Sequence, residues 1–149
     1  MEGETNLTIK ETLRQARNID RRINETQERL QRLHARLEAG KRTNYSELPR
    51  GGARNDWTEV VDQAMALEGR LNRQIAEMYA LKHLAMTMIE SVPDTLMREV
   101  LELYYLDGVG WGYVARRIGA DKRQVYRLHG KALLMIQRFW GQNGTKVHK

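Results

Sequence analysis

The stretch Trp111–Gly130, WGYVARRIGADKRQVYRLHG, limits the possible folds of this chain more than any other. Gly119 can take the left-handed conformation that ends a helix, and Asp121 can cap the next helix by accepting a backbone N–H. Ala115 is small enough for the second helix to cross closely, and Val125 would face inward to hold that helix in place. This spacing predicts two packed helices joined by a tight turn, a helix-turn-helix.

Positive charge is concentrated at this motif. The chain has a formal net charge of +6, and residues 116–138 contain seven Lys or Arg and one acidic residue. Side chains on the second helix that point away from the core would suit phosphates and base edges. They are Lys122, Arg123, Gln124, Tyr126, Arg127 and Lys131. The alternative interpretation is a plain helical corner with a solvated basic face.

The composition favours an all-α protein and excludes several kinds of site. The 149-residue chain has two prolines, one Phe and few strand-like runs. It has no cysteine, which excludes disulfides and thiolate metal sites, and its apolar runs are too short to span a membrane. The start of the chain, MEGETNLTIK, lacks the apolar core of a secretion signal. We therefore expect a cytoplasmic protein with no membrane partner.

A heptad pattern runs through the N-terminal part of the chain. Thr8 and Glu11 have the spacing of a capping box, and Gly40 is placed to end the helix, which would span residues 8–39. Its stripe residues are Ile9, Ala16, Ile23, Leu30 and Leu37, with Thr12, Ile19, Thr26 and Leu33 three positions after the first four. So narrow a stripe predicts a coiled coil with a partner helix, from this chain or from another copy.

A second long helix is predicted after a punctuated linker. The linker, residues 41–56, contains Pro49, Gly51 and four Lys or Arg. It predicts a mobile loop or, alternatively, a basic arm on the DNA backbone. Asp56 can cap the following helix, which would reach about Ser91. The matching lengths of the two helices favour an antiparallel hairpin within the chain, or pairing between chains in a homodimer.

The C-terminal third is predicted to form a separate module. Pro93 breaks the preceding helix, and Asp94 or Ser91 can cap a short helix over about 94–106. The motif adds helices at about 111–118 and 121–140, and the apolar face of the last should pack on the first. The predicted domains are thus a helical oligomerisation region, 1–92, and a DNA-binding helix-turn-helix domain, 93–149, whose last residues form a disordered tail.

Part of this module resembles a known family. The stretch from about Val92 to Arg138 resembles the C-terminal, promoter-reading domain of bacterial sigma factors. The matching residues are 101–136, LELYYLDGVGWGYVARRIGADKRQVYRLHGKALLMI. The shared features are a Leu-x-x-x-Tyr helix, an Asp-Gly turn, a Val-Ala pair, an Ile-Gly pair and a late Ala-Leu. The rest of the chain is too short for a sigma factor and lacks its aromatic-rich melting segment. The combination looks more like small phage late-operon activators of the ArpU and RinA type.

The resemblance implies a sequence-specific transcription regulator, a phage late-gene activator acting in a bacterial host cell. It places DNA contacts on residues 122–124, Tyr126 and Arg127. Asp121 stands where sigma domains usually have Ser, and its charge would repel a nearby phosphate. Trp111 likewise replaces a usual Thr or Ser.

The chemistry of the side chains predicts a role for each member of this surface. Arg123 and Gln124 suit base edges in the major groove, because Arg pairs with guanine and Gln with adenine. The expected phosphate contacts are Lys122, Arg127 and Lys131, with Arg116 and Arg117 of the preceding helix clamping the backbone.

No residue set indicates an enzyme, a cofactor or a metal site. The four His, at positions 34, 83, 129 and 148, lack metal-ligand spacing, and the glycines at 108–112 lack the Lys-Ser/Thr ending of a phosphate loop. Of the four, His129 is the one on the second motif helix, where DNA contact is an alternative to a structural role.

Two further functions fit the same features. A small terminase-like DNA-packaging subunit also joins a helix-turn-helix to helical oligomerisation segments, and a helical adaptor would use the basic module to bind RNA polymerase. The mass of the oligomer separates the first from a regulator, since packaging subunits form rings and regulators form dimers. Partner binding without DNA binding would indicate the adaptor.

Overall fold

The computed structural model describes residues 8–46 and 52–141, and the regular structure in this part of the chain is helical. The α-helices in chain order are α1 (Ile9–Ala16), α2 (Ile19–Ser46), α3 (Gly52–Glu90), α4 (Thr95–Leu101), α5 (Trp111–Ile118) and α6 (Lys122–Trp140). The predicted all-α class is confirmed. Within the described ranges, none of the helices combines the length and apolar character that a membrane span requires.

The chain forms two compact units, and their division differs from the predicted boundary at residue 92. One unit contains residues 1–20 and 79–149, and the other contains residues 21–78. The reason is the packing of α1. Ile9 of α1 and Ile89 of α3 are buried in the same apolar cluster as Ile136 of α6. The amino-terminal helix thus belongs to the unit that contains α5 and α6.

The predicted helix over residues 8–39 begins as expected but is interrupted. Thr8 Oγ1 accepts the Glu11 N–H and Glu11 Oε1 accepts the Thr8 N–H, both at 3.1 Å, which confirms the capping box. α1 nevertheless ends at Ala16, because Arg17 is extended and Asn18 has a φ of 65°. Asn tolerates this left-handed conformation better than most residues. A single long heptad helix is therefore wrong.

Gly40 does not end α2, and the predicted linker 41–56 is helical at both ends. α2 continues to Ser46, and α3 begins at Gly52, before the predicted cap at Asp56. One glycine costs a helix only about 1 kcal/mol, which is too little to stop a favourable run. Of the four cations of the predicted basic arm, Lys41 is exposed on α2, and the side chains of the other three lie outside the described residues. The predicted disordered tail begins at Gly141, and the rest of it also lies outside them.

In the unit of residues 21–78, α2 and α3 lie antiparallel within one chain. His34 Nε2 is 2.8 Å from Glu68 Oε2, and a Cβ on Gly40 would lie 2.7 Å from two ring carbons of Trp57. The glycine therefore allows a close approach of the two helices. Among the described residues of this unit, the buried set is Ile23, Thr26, Leu33, Ala64 and Leu71.

The predicted helix 94–106 is α-helical in its first part and π-helical in its second. Asp94 Oδ1 accepts the Met97 N–H at 2.9 Å, so the predicted cap of α4 is confirmed. From Glu102 to Leu106 the chain forms a π-helical turn, closed by an Asp107 N–H bond to the Glu102 carbonyl at 2.9 Å. π-Turns often lie beside functional positions in proteins, and this one leads directly into the loop before α5.

α6 packs into the core of its own unit, residues 1–20 and 79–149, through the apolar face predicted for it. Ala132 and Ile136 are fully buried, and Leu133 and Trp140 are half-buried against the same cluster. Phe139, in the last turn of the helix, is 47% exposed, although its spacing from Ala132 and Ile136 predicts that it shares their apolar face.

Candidate nucleic-acid interface

α5 and α6 meet over a small apolar cluster that matches the motif analysis. Val114 and Val125 have no exposed surface, and Ala115 is 7% exposed. They pack with Val100 of α4 and Leu103 of the π-turn. Ala115 and Val125 are thus buried as their positions in the motif predict.

The turn between α5 and α6 also has the predicted geometry. Gly119 has φ 74° and ψ 39°, the left-handed conformation that favours glycine, and α5 ends there. The Ala120 N–H then bonds to the Ala115 carbonyl at 2.9 Å. Asp121 Oδ1 accepts the Gln124 N–H at 2.8 Å and so caps α6. These contacts fix the direction in which α6 leaves the turn.

The cap gives a test in which charge and hydrogen bonding are separated. Asp121→Ala removes the acceptor, and we expect it to lower the free energy of unfolding by about 1 kcal/mol. Asp121→Asn keeps an oxygen at the same place, so its loss should be a small fraction of that value. Urea unfolding of both variants measures the difference. Equal losses in the two variants would contradict a capping role for this side chain.

The exposed side of α6 carries the residues predicted to contact DNA. Lys122, Arg123, Gln124, Tyr126, Arg127 and Lys131 are all exposed. Val125, Ala132 and Ile136 are the buried residues of the same helix. α6 is therefore amphipathic, with its cations and Gln124 in solvent on one side and these three apolar residues in the core on the other.

Cations of α5 continue this surface. Arg116 and Arg117 are exposed, as predicted. A Cβ on Gly112 would lie 3.7 Å from Lys122 Cε and 3.9 Å from Arg116 Nη1, so side chains from both helices flank this glycine. Among the side chains that the structure describes, no carboxylate lies within ion-pairing distance of the cations of α5 and α6.

His129 faces the interior of the unit instead of the cationic surface. Its Nε2 is 2.7 Å from Tyr105 Oη, and its ring meets the edge of Trp111 at a centroid distance of 5.0 Å. The histidine is half-buried. Its contacts attach α6 to the π-turn, and the alternative that it contacts DNA stays a prediction.

Arg17 supports the start of α5 and is a contribution that the sequence analysis missed. Its Nε donates to the Tyr104 carbonyl at 3.0 Å, and its Nη2 donates to the carbonyls of Gly108 at 3.2 Å and Val109 at 2.9 Å. Its guanidinium also lies 4.1 Å from the centroid of the Tyr104 ring. The heptad pattern marks position 17 as an outward-facing site, so the local sequence carried no signal of this role.

Trp111, one of the two departures from the sigma pattern, has a structural explanation. Its ring stacks on Tyr104 with centroids 3.8 Å apart and planes inclined by 11°. Its edge contact with Tyr126 has a centroid distance of 5.5 Å. A row of rings therefore connects Arg17 to an exposed aromatic residue on α6.

The half-buried position of His129 predicts a loss of stability in acid. Burial, followed by the charge of Lys10, lowers the pKa of His129 below its usual 6.5, while burial raises the pKa of Tyr105 to about 12. The unfolded chain therefore binds a proton at His129 more readily than the folded chain does. The stability that neutral His129 contributes above pH 6.5 is lost as the pH falls from 6.5 through the lower pKa of the folded protein.

This prediction is checked with His129→Gln, which keeps a hydrogen-bonding side chain but cannot titrate. Chemical unfolding at about pH 8 and about pH 5 gives the pH dependence of each protein, and the variant should lose less stability on acidification. The same loss in both proteins would show that other groups cause it.

No protein-family model, no curated protein and no solved structure matches this chain. Among the described residues, no group of three or more His, Asp or Glu is arranged to hold a metal ion. The candidate interface is therefore defined by the residues of α5 and α6, their exposure and their charge.

Proposed function

We propose that this chain binds double-stranded DNA and regulates transcription, reading the major groove with α6. One observation carries the proposal: the exposed side of α6 is cationic and amide-bearing, while its opposite side is held in a packed core. An α-helix fits the width of the B-DNA major groove, and its exposed side chains then reach base edges and phosphates.

The proposed contacts follow from the chemistry of each side chain. Arg123 and Gln124, in the first turn of α6, are assigned to base edges, because N-terminal residues of a recognition helix enter the groove. Lys122, Arg127 and Lys131 are assigned to phosphates. Arg116 and Arg117, on α5, would hold the DNA backbone beside the groove.

The regulatory part of the proposal has its support in the resemblance to promoter-reading domains. A protein that reads a defined sequence near a promoter can recruit or exclude RNA polymerase, and small phage activators of this kind act on late genes. We propose the same class of activity here, with the DNA site as the first partner and RNA polymerase as the second.

Binding measured against salt tests the proposal. The probes are a mixed-sequence duplex and a duplex that the protein selects from a random pool. We expect both to bind at low salt, the selected duplex more tightly, with affinity falling steeply as salt rises because phosphate contacts release counterions. Failure to bind either duplex at low salt would overturn the proposal. Equal affinity for both would overturn sequence-specific reading.

A further inference from the structure

Gly130 lies where glycine destabilises a helix, and the fold does not require a glycine there. It lies inside α6, where glycine costs about 1 kcal/mol relative to Ala. The glycines of positive φ in the described chain are Gly108, Gly119 and Gly141, so the backbone at position 130 is one that any residue adopts. A Cβ on Gly130 would have no heavy atom within 4 Å.

Three other glycines have internal reasons that Gly130 lacks. Gly40 is crowded by the Trp57 ring, and a Cβ on Gly108 would overlap Asn18 Oδ1. Gly119 has the left-handed conformation that ends α5. Packing within the described chain does not explain Gly130, nor does it explain Gly69, and what sets Gly130 apart is its place among exposed cations.

The location of Gly130 indicates the kind of partner. It is exposed and follows Tyr126, Arg127 and Arg123 by four, three and seven residues, the spacings that place residues on one side of a helix. Lys131 is its neighbour in the chain and is also exposed. The absent side chain thus leaves bare helix backbone in the middle of the cationic surface, where an anionic polymer would bind.

We propose that Gly130 is the point at which the backbone of α6 makes van der Waals contact with the sugar–phosphate backbone of DNA. This inference rests on the proposed DNA binding. Without a Cβ, the helix axis can come closer to the strand, as glycine allows wherever a backbone must approach a ligand. The closer approach brings Arg127 and Lys131 within reach of phosphates on either side of the contact.

The variant Gly130→Ala separates the cost within the fold from the benefit in binding. We expect its melting temperature to rise, because Ala is the better helix former and its methyl group meets nothing. We expect its affinity for the selected duplex to fall by about tenfold, equivalent to one or two lost contacts. Gly130→Gln, with a longer side chain that also suits helices, should weaken binding further.

Gly69→Ala is the matched control. Gly69 is also inside a helix, α3, and a Cβ there would meet only Arg73 Nη1 at an ordinary 3.6 Å. It lies in the unit of residues 21–78, whereas α5 and α6, which carry the cationic surface, belong to the other unit. We expect this variant to gain stability like Gly130→Ala but to bind the duplex as the wild type does.

The outcomes distinguish this inference from the proposed function. If the wild type binds the duplex and Gly130→Ala binds it equally well, the contact at Gly130 is overturned while DNA binding stands. If Gly130→Ala is less stable than the wild type, the glycine has an internal role and the inference is also overturned. If the wild type binds no duplex at low salt, the proposed function fails and the inference fails with it.

Discussion

Replacing Ile136 with Ala is expected to lower the free energy of unfolding by about 2–5 kcal/mol. The side chain is fully buried and packs in a cluster with residues of α1, α3 and α4. Its removal leaves a cavity in addition to the lost burial. For a domain of this size, a loss of that order is a large part of the total stability.

Leu134 is the matched control for this prediction. It lies on the same helix two residues earlier and is 57% exposed. Leu134→Ala should change the free energy of unfolding by no more than about 0.5 kcal/mol. Urea unfolding of both variants measures the contrast. Similar losses would mean that α6 does not bury the side assigned to the core, and the exposure of its cations would then be in question.

The second large effect concerns DNA affinity. Arg123→Ala is expected to lose about 1–3 kcal/mol of binding free energy on the selected duplex and clearly less on a mixed-sequence duplex, because a base contact is made only at the right sequence. Arg127→Ala should weaken binding about equally on both duplexes and reduce the salt slope by about 1, as expected for one phosphate contact.

The two arginines are suitable controls for each other. Both are exposed on α6, one helical turn apart, so their removal should disturb the fold equally little. Binding isotherms at several salt concentrations give the affinity and the slope for each variant. An equal loss on both duplexes for Arg123→Ala would contradict its assignment to a base edge. An unchanged slope for Arg127→Ala would contradict its assignment to a phosphate.

The features that the sequence predicts well depend on contacts between residues only a few positions apart. The caps at Thr8, Asp94 and Asp121 each join a side chain to a backbone N–H three positions away. The turn at Gly119 needs only the conformational freedom of that residue. The exposed side of α6 follows from its 3.6-residue period, which is why the motif predicts the exposure of its cations.

The features that were missed depend on contacts between distant parts of the chain. The heptad pattern continues past Asn18, but the chain turns there and packs α1 against the C-terminal helices. Arg17 donates to the Tyr104 carbonyl, far along the sequence, and no local pattern marks such a pair. The π-turn and the stacking of Trp111 on Tyr104 likewise arise from tertiary packing.

The same contrast applies to the candidate site. Its exposed members were found from the helix motif, whereas the residues that position them were not. Tyr105 and His129 hold α6 to the π-turn, and Arg17 holds the loop that leads into α5. Positioning residues of this kind are identified by their bonds, which only the folded arrangement supplies.

Titration of the isotopically labelled protein with the selected duplex, followed through backbone amide signals by NMR, tests the DNA-binding surface most directly. We predict that the largest shifts at low salt fall on residues 122–131 of α6, with smaller ones on Arg116 and Arg117 of α5, and that added salt reverses them. Shifts confined to the unit of residues 21–78, with α6 unaffected, would contradict the assignment of this helix to DNA.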